Sequence, residues 1–189
     1  MTPHILALDS SGSPRKWISM EDAAVYYAKN QVIWVVGQNE FTLNGGVSRK
    51  TGERSYITTN SIIAVRGPNF VVKKYERTPT VNRELLFARD LQVCGYCGNK
   101  FKTIDLEMEH IHPQSRGGPT TWTNLVTACR RCNDRKANKT PEEARMPLLY
   151  VPYTPNRHES LILMNRRILA DQMDFLLLNV PKHSRLNKQ

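Results

Sequence analysis

The chain has 189 residues and a formal net charge of +10, with 40% apolar and 23% charged residues. That length holds one medium domain or a compact pair, and the apolar fraction can build a core, which excludes wholesale disorder. The cationic surplus leaves two readings, a solvated basic surface or a polyanion partner, of which nucleic acid is the commonest.

Met1–Ser10 has no Lys or Arg ahead of its short apolar run Ile5–Leu8, so no leader peptide is expected there. No stretch approaches the roughly 18 apolar residues of a membrane span. The expected setting is therefore a reducing cytoplasm. There, four cysteines in two pairs read as a metal site before they read as disulfides.

In chain order, the expected organisation is an α+β N-terminal extension (1–80), a metal-stapled segment (81–140) and a C-terminal helical segment with a basic tail (141–189). His4–Leu8 reads as a short strand. Ser19 caps a helix that carries Ala23, Ala24, Tyr27 and Ala28 and ends near Asn30. Gln31–Val36 is β-branched and apolar, which predicts a buried strand. Asn44-Gly45-Gly46 predicts a turn, and Ser55–Arg66 one or two strands. Asn82–Asp90 predicts a lead-in helix.

Leu106, Met108 and His110 alternate with Glu107 and Glu109, a strand that Pro113 stops. A Gly117-Gly118-Pro119 loop follows, then a second strand from Leu125 and a helix from about Cys129. Thr140, Pro141 and Glu143 mark a short helix start. Pro147, Pro152 and Pro155 forbid regular structure, and a longer helix is expected from Arg157 to Leu178. Its Leu161, Met164, Ile168 and Phe175 form a stripe suited to core or docking. The tail from Lys182 to Gln189 is expected to be loose.

Cys94-Gly95-Tyr96-Cys97 and Cys129-Arg130-Arg131-Cys132 are two C-x-x-C pairs a hairpin's length apart. One such pair alone could be a redox couple; two at this separation predict a closed, structural zinc site. Gly95 and Gly98 let the first pair fold as a tight knuckle. The second pair suits the first turn of a helix, where residues three apart share a face.

At about 100° per residue, Cys129, Cys132, Asn133 and Lys136 fall on one helix face. That face is expected to look at the strand end Glu109-His110. Oxygens from Glu109 and Asn133 suit Mg²⁺ or Mn²⁺. His110, with its ordinary pKa near 6.5, suits a general base acting on a water. Both neighbours can serve one site only where the strand twists or ends, because strand side chains alternate.

His110, Asn124 and Asn133 are separated by 13 and 8 intervening residues. With the flanking cysteine pairs, the Ser115-Arg116-Gly117-Gly118 turn and the Cys132-Asn133-x-x-Lys136 ending, this run resembles the HNH nuclease family. The resemblance implies a ββα-metal fold and metal-dependent hydrolysis of phosphodiester bonds, DNA being the expected substrate and RNA left open. It implies His110 as general base, Asn124 as a brace across the loop, and Asn133 as a metal ligand. Glu109, where many members carry Asp, becomes the other ligand. Arg116, Lys136, Arg130, Arg131 and Arg135 are candidate phosphate contacts, with Arg116 and Lys136 nearest the metal. His112 is read as a bystander, and Tyr96 and Trp122 as packing residues. The competing readings are a zinc-stabilised nucleic-acid-binding module that cuts nothing, and a nuclease subunit of a larger phage or defence assembly joined through the C-terminal helix. The expected host is a bacterial or phage-infected cell.

Overall fold

The structure is a computed structural model that describes residues 3–66, 79–182 and 184–188. The chain forms two compact units, one from 1–77 with 157–179 and the other from 78–156 with 180–189. The expected C-terminal segment is therefore shared between the two units and does not stand apart. The reason is the apolar stripe on its helices, which the first unit buries.

The first unit is a four-stranded sheet in the order β2-β1-β4-β3. The strands are β1 (Ile5–Leu8), β2 (Pro14–Ile18), β3 (Val32–Val47) and β4 (Arg54–Val65). β1 runs parallel to β4, and the other pairs are antiparallel. Alternation decides the packing. Ile5, Ala7, Ile63 and Val65 face one way, into a core with Ala23 of α1 (Met20–Ala28). Leu6, Leu8, Ile62 and Ala64 face the other, into a core with Leu161 and Leu176. β1 is buried on both faces, so it reads as an unbroken apolar run.

Leu161 and Leu176 belong to two helices, α5 (Arg157–Met164) and α6 (Ala170–Leu177), where one long helix was expected. Asn165 Oδ1 accepts the Arg167 backbone N–H, a local bond that competes with the helical ladder, and the Gln172 side chain accepts the Leu169 N–H to open α6. Met164 is exposed, so the predicted stripe is only partly buried. Trp17 Nε1 donates to the Leu161 carbonyl, and Gln172 Nε2 donates to the carbonyls of His4 and Ser61. Part of the apolar face of these helices is thus spent on the sheet, while Met164, Leu177 and Leu178 stay exposed.

β3 also differs from expectation. It is an edge strand, with Ile33, Val35 and Val36 exposed. It runs straight through Asn44-Gly45-Gly46, where a bulge takes the place of the predicted turn. The reversal comes at Ser48–Glu53, closed by the Ser48 N–H to Glu53 carbonyl bond.

The second unit opens with α2 (Arg83–Arg89), capped by Asn82. A two-stranded antiparallel sheet follows, β5 (Leu106–His110) with β6 (Leu125–Cys129), then α3 (Arg130–Lys136). Arg89 is fully buried; it donates to the Asp90 carboxylate and to the carbonyls of Trp122, Leu125 and Tyr153. Asp90 in turn accepts the Thr127 N–H. This pair pins β6 and its leading loop to α2. α4 (Pro141–Ala144) carries a capping box of Thr140 and Glu143. Part of the tail docks: Ser184 is buried and the Arg185 guanidinium lies 3.9 Å from the Tyr150 ring centroid. Met1, Thr2, His183 and Gln189, on which other readings of the termini fell, lie outside the described residues.

Candidate active site and metal centre

The Sγ atoms of Cys94, Cys97, Cys129 and Cys132 all lie within 4.8 Å of one another. A tetrahedral zinc with bonds of about 2.3 Å spaces its sulfurs by about 3.8 Å, so the cluster fits such an ion. The knuckle is tied by the Gly98 N–H to Cys94 carbonyl bond, and the Gly95 N–H to Thr127 carbonyl bond docks it on β6. A Cβ on Gly95 would come within 2.4 Å of Val126 Cγ2, so only glycine permits that approach. Cys129 ends β6 and caps α3, and Cys132 follows in the first turn of the helix.

Burial pushes the thiols of Cys97 and Cys132 up, and the neighbouring cysteines add to that. Burial acts on Cys94 in the same direction, but backbone hydrogen bonds at Cys129, Cys97 and Tyr96 outweigh it and bring this thiol below its ordinary value. Crowded thiols of this kind favour a cation among them.

β5 presents its two carboxylates to α3. Glu107 Oε2 accepts from Asn133 Nδ2 at 2.6 Å, and Glu109 Oε1 accepts from Lys136 Nζ at 2.5 Å. The spacing matches: residues two apart share a strand face, and residues three apart share a helix face. Lys136 Nζ also donates to the His110 carbonyl at 2.9 Å. Lys136 is fully buried, so it is not the phosphate contact that its place on the helix suggested. Spacing gave the face correctly, but that face is covered by β5.

The His110 side chain goes the other way. β5 ends at this residue, and Nε2 lies 3.0 Å from Thr120 Oγ1 in the loop. Burial, and then the positive charge of Lys136, lowers the imidazole pKa below 6.5. Burial raises the Glu109 carboxyl pKa, against the opposing hydrogen bond from Lys136.

Asn124 spans the loop. Its Oδ1 accepts the His112 N–H, and its Nδ2 donates to the carbonyls of His112 and Pro119. Gly118 packs so tightly under this turn that a Cβ would sit 1.9 Å from the His112 carbonyl oxygen.

The remaining cations fall into two groups. Arg116 donates two hydrogen bonds to the Glu143 carboxylate and stays 40% exposed at its side chain. This partner holds the Glu143 carboxyl down at about 2. Arg130 lies 3.4 Å from Glu107, while Arg131 and Arg135 are exposed.

The structure thus gathers Glu107, Glu109, Asn133 and Lys136 between β5 and α3, and His110, Thr120 and Asn124 around the loop. Sequence reasoning missed Glu107, Thr120, Glu143 and the Arg89–Asp90 anchor. Glu107 had a signal, its two-residue offset from Glu109. The adjacent Arg89-Asp90 pair had none, since it reads as an ordinary helix end.

Residues 94–149 match the family model described as HNH endonuclease. The chain is also similar, over part of its length, to the CRISPR-associated endonuclease Cas9 of Corynebacterium diphtheriae. The identity is 46% over 46 residues, covering 24% of this chain and 4% of the relative. The Cas9 of Campylobacter jejuni is 37% identical over 65 residues, covering 31% of this chain and 7% of the relative. The match to these relatives is therefore a small fraction of their length. Fold and site agree with the match to the HNH endonuclease model: β5, β6 and α3 make a ββα unit, and four cysteines that could hold a metal ion cluster beside it, as in the four-cysteine variety of the HNH fold. Among the described residues, no helix is long and apolar enough to cross a membrane.

Proposed function

We propose that this chain is a metal-dependent endonuclease that hydrolyses phosphodiester bonds of DNA. The observation that carries the reading is the match of residues 94–149 to the HNH endonuclease model, with His110 at the end of β5 held by Thr120 and its pKa lowered by burial. The four cysteines would hold structural zinc, pinning the start of α3 to the knuckle before β5. Glu109 and Asn133 would hold Mg²⁺ or Mn²⁺. The donor chemistry fits: Asn133 Nδ2 is engaged by Glu107, which leaves the amide oxygen as its ligating end, and carboxylate and amide oxygens suit hard cations. Once bound, the ion would neutralise the charge that grows on the phosphate in the transition state.

His110 takes a proton from the attacking water. Thr120, on Nε2, orients the ring. Asn124 fixes the loop that carries Thr120 by its bonds to His112 and Pro119. Arg116, held in place by Glu143, and the exposed Arg131 and Arg135 are the cations available to phosphates. Such contacts give affinity without sequence choice and weaken with salt.

Supercoiled plasmid is the test, with Mg²⁺, with Mn²⁺, and without added ion. Conversion to open-circle product that needs the ion and drops at least about 10²-fold in His110→Ala, with zinc content and circular dichroism unchanged, is the expected result. A variant that cuts like the native chain removes His110 from the mechanism. Because a base must be neutral and the His110 pKa is lowered, activity should be full at pH 7. It should be lost only as pH falls through a value below 6.5. An acid limb above 6.5 contradicts this role.

One observation favours a second reading. Lys136 already neutralises Glu109, as it would in a module that binds nucleic acid and cuts nothing. Salt-sensitive DNA binding with no cleavage under either ion would select that reading.

A further inference from the structure

β1 pairs with β4 only at Ile62–Ala64, whereas β3 and β4 stay paired out to Val47 and Arg54. From the Glu40–Asn60 pair outward they form a two-stranded ribbon. Eight residues of β3, Glu40 to Val47, reach about 24 Å if fully extended.

The two faces of the ribbon differ. Phe41 and Leu43 pack against the α1-side core with Tyr26 and Tyr27. The opposite face, set by the register, carries Thr42 across from Thr58 and Asn44 across from Tyr56. These four side chains are exposed, Tyr56 by 69%, and the Thr42 and Thr58 hydroxyls lie 3.4 Å apart. The one carboxylate on this face is Glu40, at the root of the ribbon. Arg54 shares the face at the far end.

The tip adds Arg49 and Lys50. It is an ordered turn: Ser48 Oγ accepts the N–H groups of Lys50 and Thr51, and Thr51 Oγ1 accepts the Glu53 N–H. Among the described residues no ion pair engages Arg49, Lys50 or Arg54. Glu53 is the only acidic residue of the tip.

We propose that this ribbon is a second nucleic-acid contact, which lies in the major groove of duplex DNA. The inference rests on the nuclease reading for its substrate class, and adds a site outside the HNH segment. Three arguments carry it. The B-form major groove, about 12 Å wide, admits a two-stranded ribbon. Thr and Asn hydrogen-bond base edges, so a neutral polar face with almost no carboxylate suits the floor of a groove. Free cations at the tip suit the phosphates that flank it. A-form duplexes present a deep, narrow major groove that excludes such a ribbon, so RNA duplexes should bind less well.

The test uses the full chain carrying His110→Ala, without added divalent ion, and fluorescence anisotropy on a 30-base-pair DNA duplex at several salt concentrations. The triple variant R49E/K50E/R54E should bind about 10-fold or more weaker, and its salt slope should fall by about 2 to 3. T42A/T58A should keep the salt slope and lose preference among duplexes of different sequence. Duplex RNA and single-stranded DNA serve as further arms, and both should be insensitive to the two threonine changes. Affinity and slope unchanged in the triple variant, with circular dichroism intact, overturn the proposal; so does loss of RNA binding equal to that of DNA. Failure of the nuclease reading is seen separately, on plasmid with the His110-bearing chain. A chain that cannot cut yet loses duplex binding with the tip cations keeps the ribbon and rejects the nuclease. One that cuts and binds equally with or without them does the reverse.

Discussion

Cys94→Ser, or removal of zinc by a strong chelator, is expected to unfold the segment from Cys94 to Lys136 and abolish cleavage. The reasoning starts from size. β5 and β6 have five residues each and α3 has seven, and a lone hairpin or a helix of that length is marginal in water. Around the sulfurs the core is small, Cys94, Ala128 and Cys129 with Tyr96, Phe101 and Cys132 against them, while Leu106, Leu125 and Val126 supply the rest of the hairpin's buried surface. The cysteines are themselves a large part of that core, so a metal held by them would stand in for apolar packing at this end of the hairpin. Structural zinc contributes on the order of 10 kcal/mol to the fold that holds it. Hydrogen exchange is the direct measurement. Amides of β5, β6 and α3 should lose protection on chelation, while those of β1 and β4 keep theirs, being buried between α1 and α5/α6. Full protection in β5 and β6 after complete removal of the ion would mean that the cysteines are a bystander cluster.

The second large effect is expected from Lys136→Met, which keeps the length of the side chain and removes its charge. The Lys136 side chain is 0% exposed and that of Glu109 11%. Removing one partner of a buried pair leaves the other charge uncompensated, at a cost of about 3 kcal/mol. Urea unfolding of this variant should show that loss. Two further readouts separate a positioning role from a merely structural one. Without the ammonium, the Glu109 carboxylate has no resident cation, so Mn²⁺ binding followed by titration calorimetry should tighten several-fold. Cleavage should nevertheless fall at least about 10²-fold, because Lys136 also holds the His110 carbonyl and so the end of β5. The double variant K136M/E109Q should regain most of the stability and none of the activity. Wild-type stability and Mn²⁺ affinity in Lys136→Met would show that the ammonium neither supports the fold nor competes at Glu109.

Lys136 also shows how far the sequence could be read. Helical spacing placed it on the face that looks at Glu109, and it lies there. Whether that face meets solvent depends on β5 lying across it, a tertiary fact that no local pattern encodes. The cysteine staple was legible because two C-x-x-C pairs at a hairpin's separation have few rivals. The helix starts at Ser19, Asn82 and Thr140 were legible because capping is local chemistry. The Asn44-Gly45-Gly46 turn was misread because glycines also mark bulges; Ser55, whose Oγ donates to the Gly46 carbonyl, occupies the space that a Cβ on Gly45 would need. The long C-terminal helix was misread because its apolar spacing carries on across Asn165–Leu169 while the backbone bonds do not. Glu107 lay in view as part of an alternating strand, but only the Asn133 amide facing it reveals its role.

The division of the chain into units has a consequence for biosynthesis. The sheet is made from the first segment, yet one of its faces takes its cover from α5 and α6, through Leu161, Ile162, Phe175 and Leu176. A ribosome delivers those residues after the whole HNH segment, so the zinc-binding fold can assemble while Leu6, Leu8, Ile62 and Ala64 still lack their cover. For that interval the nascent chain carries a bare apolar sheet face, and a stop codon anywhere before Arg157 would make the exposure permanent. Chaperone demand and aggregation of truncated products should therefore track the last helices of the chain more closely than its nuclease segment.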